Sequence, residues 1–217
     1  MGDERRIRAR NRATCHAMDN RGRIVGMETL PHNAALLIVD LQKAIDDPRW
    51  SRVGPRNNQQ AEANIAALLA AWRRDGRPII HIRHDSVEPG STYRPGCPGH
   101  VFKEEAMPLP GETVIGKRVN SAFIGTDLDE WLHGRGIGAL VVGGVITNNS
   151  VEATVRMAGN LGYDVHLVAD ACFTFARLDR SGRVWTADEV HDLSLANMDG
   201  EYATVVETAE VLGAVLR

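Results

Sequence analysis

Apolar and polar positions along the chain alternate between two periods. AALLIVDL (Ala34–Leu41) is a continuous apolar run, the pattern of a strand buried on both faces. A helix is predicted over about 59–74, where Ile65, Leu68, Leu69 and Trp72 share one face and RRDGRP ends the pattern with basic residues, a Gly and a Pro. PIIHIRH (Pro78–His84) and ETVIGK (Glu112–Lys117) read as strands two and three, separated by a Pro/Gly-rich loop, Ser86–Gly111. A helix near 126–135 precedes a fourth strand, GALVVGGV (Gly138–Val145), and another near 149–161 precedes a fifth, DVHLVAD (Asp164–Asp170). TADE (Thr186–Glu189) is a capping box that opens a further helix. YATVVE (Tyr202–Glu207) and a last helix complete the chain.

Six alternations of strand and helix predict an α/β fold: a three-layer α/β/α sandwich around a mostly parallel, Rossmann-like sheet of about six strands. No internal repeat and no second domain is visible. Residues 1–30, MGDERRIRARNRATCHAMDNRGRIVGMETL, read as a flexible charged extension, and residues 31–217 as one domain. At 217 residues, 43% hydrophobic and 24% charged, the chain is long enough for a full core. A net charge of −3 with no sustained basic run argues against nucleic acid or an anionic membrane as partner. No apolar run approaches the roughly 18 residues of a membrane span, and the first residues lack the apolar segment of a secretory signal. Cys15, Cys97 and Cys172 are odd in number and widely spaced, which suggests neither a disulfide framework nor a cysteine zinc site and fits a cytoplasmic location.

Ligands of parallel sheets bind beyond the carboxyl ends of the strands. Three polar residues are expected there: Asp40 after strand one, Lys117 after strand three and Ser150 just after strand four. Each has an ordinary structural reading. Asp40 could turn the chain, Lys117 could be a solvated surface lysine, and TNNS followed by Glu152 is what a helix N-terminus prefers. Taken together, LLIVDLQ, VIGKRVNSAF and GGVITNNSVEATVRMAGNLGYDVHLVADA closely resemble the isochorismatase-like, or cysteine hydrolase, family, over about Ala34 to the C-terminus.

The resemblance implies a catalytic Asp–Lys–Cys triad that hydrolyses C–N bonds of amides and ureas on a three-layer α/β/α fold. Asp40 matches the acid/base carboxylate and Lys117 the lysine, while Ser150 stands where the family has its nucleophilic cysteine. A thiol is readily made a thiolate beside a cation and a helix N-terminus, whereas a hydroxyl needs a well-aligned base. Asp40 would have to be that base, since the matched motifs offer no histidine for that role. Ser150 could be an engineered replacement of cysteine, a natural nucleophile, or a natural residue in a branch that works without covalent attack.

The function implied is hydrolysis of a small amide, ureide or related metabolite. The alternatives are a non-covalent vinyl ether hydrolase of isochorismatase type, with Asp40 as proton donor, or a catalytically silent binder of small molecules. The family pattern also implies a cis peptide at Val145–Ile146 and an oxyanion hole from the backbone N–H groups of Ile146 and Ser150. Gln42, Trp50, Arg83, Asn120 and Phe123 lie in or beside the matched segments and are candidate substrate contacts. Trp50 and Phe123 could equally be core or interface residues, and Arg83 could pair with Asp85 or Glu88.

Nicotinamidases of this superfamily bind a metal through an Asp and several His. Here the loop after strand one has Asp46 and Asp47 but no histidine, and His81 and His84 point to opposite faces of their strand, so no metal or other cofactor is expected. Cys172 reads as buried filler. The segment Cys172–Glu189 is expected to wall the pocket or reach a neighbouring subunit of a homodimer or homotetramer.

Overall fold

A computed structural model describes residues 29–215 of the chain. The expected extension, residues 1–30, lies outside the described residues apart from its last two, and Leu30 is buried against the core. Strand β1 (Ala35–Val39) is buried at every position. Its alternation splits the core: Ala35, Leu37 and Val39 pack on one face of the sheet, Leu36 and Ile38 on the other.

Strands β2 (Ile79–His84), β3 (Thr113–Lys117), β4 (Ala139–Val145), β5 (Asp164–Phe173) and β8 (Thr204–Val206) join β1 in one sheet of order β3-β2-β1-β4-β5-β8, with every neighbouring pair parallel. Helices α1 (Ala61–Arg74) and α5 (Thr208–Val215) cover one face. Helices α2 (Leu128–His133), α3 (Glu152–Leu161) and α4 (Ala187–Met198) cover the other. Trp72 anchors α1: its ring is fully buried, and its indole N–H donates to the Ala34 carbonyl at 3.0 Å. Burial of each such core side chain contributes about 1.5–3 kcal/mol. The capping box is present in full, with Thr186 and Glu189 bonding reciprocally at the start of α4.

Three elements differ from the sequence pattern, each for a local reason. Helix α3 starts at Glu152 rather than near 149, because Thr147–Val151 form a wider turn with Asn148 outside the helical region. Strand β5 continues past Asp170 to Phe173, across a register break opposite Val142–Gly144. Gly144 sits at φ +132°, and a Cβ there would collide with the Val39 carbonyl, so only glycine lets β4 pass β1 this closely. The third is a hairpin, β6 (Arg177–Leu178) with β7 (Val184–Trp185), whose two-residue strands are too short to leave a period. Its turn is held by the Asp179 carboxylate, which accepts from Ser181 N–H, Ser181 Oγ and Arg183 N–H.

Glu112, just before β3, ties the edge of the sheet to α1. It accepts from Arg73 at 2.7 and 3.0 Å, from Leu109 N–H at 2.8 Å and from His81 Nε2 at 2.8 Å. Burial pushes its pKa up, but these donors outweigh burial and hold it at about 2. His81, which burial holds below its usual pKa, is neutral at pH 7 and donates as an N–H. A carboxylate with a depressed folded-state pKa stabilises above its unfolded value of about 4.3 and loses that contribution as pH falls through the folded value. Glu112→Gln is therefore expected to destabilise by about 2 kcal/mol at pH 7, and the gap from wild type should close between about pH 4.5 and 2 in urea unfolding. A gap independent of pH would contradict this account.

Candidate active site

The strand order reverses between β1 and β4, and the residues that follow these two strands meet there. Asp40 is the first residue past β1. It takes φ +54°, a left-handed conformation that Asp is among the few non-glycine residues to tolerate. Its N–H donates to Ile82 O at 3.0 Å and its carbonyl accepts from Gln42 N–H at 2.7 Å. The side chain is thereby held inside the protein, 3% exposed.

Lys117, the last residue of β3, reaches across β2 to that carboxylate. Its Nζ is fully enclosed and donates to Asp40 Oδ2 at 2.6 Å, Val119 O at 3.0 Å and Ser150 Oγ at 3.2 Å, with His84 Nδ1 at 3.4 Å. Among the described residues, Asp40 Oδ1 has no hydrogen-bond partner. Burial raises the Asp40 pKa, Lys117, His84 and Ser150 pull it back, and the net displacement is upward. A single ammonium thus brings together residues from the ends of three strands.

Ser150 arrives on the corner after β4, where the Val145–Ile146 peptide bond is cis. The corner is pinned from below. Thr147 Oγ1 meets His191 Nδ1 of α4 at 2.9 Å, and Thr174 Oγ donates to Asn148 Oδ1 at 2.6 Å. Asn58 donates to the carbonyls of Ala169 and Cys172, and Asn57 Oδ1 accepts from Thr174 N–H, which ties the 57–58 turn to the same patch. The Ser150 hydroxyl caps neither the turn nor α3; its contact is with Lys117. Cys172 is buried in β5 beside Gly144, and burial pushes its thiol up to about 12, so it is no nucleophile.

The candidate substrate contacts separate. Gln42 is fully buried and its amide is consumed within the fold: Nε2 donates to His84 O and His100 O, and Oε1 accepts from His84 N–H. Arg83 forks onto Asp85, which His100 also meets at 2.7 Å. Phe123 packs in the core beside Tyr163. Asn120 is exposed on the loop after β3.

Trp50 is half-buried, its N–H on Ala44 O, with Tyr93 edge-on and Phe175 stacked at centroid distances of 6.4 and 6.3 Å. Tyr93 in turn meets His84 edge-on at 5.6 Å, so an aromatic row runs from the lysine outward. His84 was weighed in the sequence only as a metal ligand, and the structure sets it beside Lys117. Its signal was its place at the end of β2, two strands from Ser150 and facing away from His81. His81 bonds Glu112 instead, and among the described residues no three His, Cys, Asp or Glu side chains gather as metal ligands.

A hollow of about 260 Å³ is lined by Ile45, Asp46, Asp47, Arg56, Glu62, Lys103, Phe173 and Phe175 among others. Its charges satisfy one another: Arg56 forks onto Glu62, and Lys103 bridges Asp46 and Glu62. Neither Asp40, Lys117 nor Ser150 lines it.

The family model for the Isochorismatase domain matches residues 34–210. The chain belongs to the isochorismatase family. It is 40% identical over 183 residues to the isochorismatase family protein YrdC of Bacillus subtilis, covering 84% of this chain and 96% of that one. A crystal structure from Chromobacterium violaceum, assigned to the isochorismatase family, superposes with a TM-score of 0.84 at 58% identity, covering 88% of this chain and 97% of that one. Ureidoacrylate amidohydrolase RutB of Variovorax paradoxus is 29% identical over 174 residues, 64% of this chain and 68% of that protein.

In this isochorismatase-family chain, removing the ammonium leaves Asp40 buried without a counter-charge. Lys117→Met is expected to destabilise by about 3–5 kcal/mol near neutral pH, the usual result of breaking a buried pair from one side. Because burial then acts on Asp40 unopposed by Lys117, the folded variant takes up a proton on this carboxyl that its unfolded chain does not bind, so the loss should shrink as pH falls from 7 toward the unfolded value of about 3.9. Urea unfolding at pH 7 and pH 5 checks both points, and an equal loss at the two pH values would contradict them.

Proposed function

We propose that the protein is a hydrolase of a small amide, ureide or related metabolite, with Asp40 as acid/base, Lys117 as the cation that holds it, and Ser150 in the position of the nucleophile. The observation that carries this reading is the Lys117 ammonium between Asp40 Oδ2 and Ser150 Oγ, at 2.6 and 3.2 Å. The likeness to a ureidoacrylate amidohydrolase supports the C–N bond as target.

The unpartnered Asp40 Oδ1 is the free base. It takes the Ser150 hydroxyl proton as Oγ bonds to the substrate carbonyl carbon, and the carbonyl electron pair moves onto oxygen beside the N–H groups of Ile146 and Ser150. Asp40 then passes that proton to the departing nitrogen as the C–N bond breaks. A water molecule repeats the sequence on the ester, giving its proton to Asp40, which returns it to Ser150.

A second reading is favoured by the upward displacement of the Asp40 pKa, which keeps a proton on the carboxyl more readily than on an ordinary aspartate. In it Asp40 donates that proton to a vinyl ether, and no covalent bond to Ser150 forms. In the third reading, a silent family member, the site only binds. Within the same proposal the molecule is a cytoplasmic homodimer or homotetramer. Leu178 and Val184, opposite each other on the hairpin and 59% and 50% exposed, offer an apolar contact. Light scattering checks the assembly, and a monomer would contradict it.

Asp40→Asn should abolish turnover under either active reading by removing the titratable proton. Ser150→Cys separates them. If the chemistry is covalent, the thiol should raise amide hydrolysis by about tenfold or more, since the Asp40–Lys117 setting favours a thiolate. If it is non-covalent, the change should leave a vinyl ether substrate almost untouched. Kinetics of both variants on an amide panel and a vinyl ether decide, and activity that survives Asp40→Asn would overturn both readings and leave the binder.

A further inference from the structure

Lys117 carries three ammonium protons and faces four acceptors. Three are oxygens, and the fourth is the ring nitrogen His84 Nδ1 at 3.4 Å. An ammonium can only donate, so a proton on Nδ1 would point at positive charge. The neutral ring must therefore keep Nδ1 bare and carry its proton on Nε2. Its backbone N–H and carbonyl are both bonded to the Gln42 side chain, and its ring packs T-shaped against Tyr93 at 5.6 Å. His84 is half-buried, and among the described residues no protein acceptor bonds Nε2.

We propose that His84 is a specificity-determining residue, whose Nε2–H donates to a second acceptor of the substrate, next to the carbonyl that is cleaved. This rests on the amide or ureide reading above and deepens it. In that reading the scissile carbonyl oxygen is taken by backbone N–H groups, and a departing –NH2 offers only donors. A simple amide thus leaves the His84 donor without use. A ureide or imide brings a second carbonyl two bonds from the first, which can accept it. Neutrality of the ring is kept by its surroundings: burial and Lys117 hold its pKa below the ordinary value, His100 adds to that, and Asp40 and Asp85 oppose it. Arg83, the neighbouring cation, is spent on Asp85. The selectivity expected is accordingly for an uncharged second acceptor.

The test uses the full chain labelled with 15N-histidine, the His84 signals being assigned by their loss in His84→Gln. Long-range proton–nitrogen spectra at pH 7.5 should show the Nε2–H tautomer, and a predominant Nδ1–H tautomer would overturn the proposal. N-acetylurea should shift the Nε2 nitrogen saturably while acetamide at the same concentration does not; no shift, or equal shifts, would overturn it as well. In turnover, His84→Ala should lower kcat/KM for N-acetylurea relative to acetamide by about 30-fold, mainly through KM. His84→Gln, which restores an N–H donor, should recover most of that preference. An equal loss on both substrates would mean a merely structural role and defeat the proposal. Wild type that turns over neither compound would sink the hydrolase reading, while the tautomer and the N-acetylurea shift still decide the assignment of His84.

Discussion

A lysine ammonium and an aspartate carboxylate, 2.6 Å apart and almost wholly withdrawn from water, set the terms for the carboxyl end of this sheet. Taking both charges out of water is expensive, and their attraction offsets it only if the remaining protons and lone pairs also find partners. Lys117 meets that condition, with the Val119 carbonyl and Ser150 hydroxyl completing its shell. Asp40 does not, since Oδ1 is bare. A well-packed apolar pair would serve the fold at least as well. The arrangement makes sense as a site: one carboxylate oxygen is fixed, the other is left free, and its proton affinity is raised by the same burial.

That constraint explains features which otherwise look unrelated. The pair can meet only if β1 ends in a sharp turn, and Asp40 supplies it by adopting φ +54°. It can bring in Ser150 only if β4 runs tight against β1, and Gly144 permits that by lacking a Cβ that the Val39 carbonyl would exclude. The corner after β4 must then hold its shape without a side-chain cap. It does so through Thr147 on His191 and Asn148 on Thr174, contacts drawn from α4 and from the segment after β5. Elements far apart in sequence therefore serve one short turn, and the stability of α4 and the run of β5 to Phe173 bear directly on where Ser150 stands.

Much of this was legible in the chain. The unbroken run of β1, the facing apolar positions of α1 and the capping box of α4 each follow one strong local rule, and all three are found in the structure. Asp40, Lys117 and Ser150 stood out because each stands at or just past the end of a strand, in segments that together resemble the isochorismatase-like family. Their meeting at one ammonium is a property of strand order, which periodicity does not carry. What stayed hidden depends on long-range partners. Gln42 looks like a pocket residue in LLIVDLQ, yet its amide is claimed by His84 and His100. Arg83 was open to two readings in the chain, a carboxylate clamp or a pair with nearby Asp85, and the structure has the pair. The β6–β7 hairpin has only turn chemistry to announce it, and the wide turn at Thr147–Val151 disguises itself as the first turn of a good helix.

In the reading proposed above, a serine rather than a cysteine at position 150 gains meaning from this geometry. A thiolate beside Lys117 would be held by charge, and the ammonium would then divide its attraction between two anions, Asp40 and the sulfur. A neutral hydroxyl makes no such claim. With serine in place, the ammonium stays committed to Asp40, whose carboxylate, in the proposed covalent reading, would supply all the basicity that attack requires. The same neutrality bears on His84: with one anion rather than two around Lys117, nothing nearby favours a protonated imidazole strongly enough to overcome its burial, and the ring remains a fixed neutral donor. The Ser150 hydroxyl, the Asp40 carboxylate and the His84 ring are therefore tied together by how one buried cation distributes its protons.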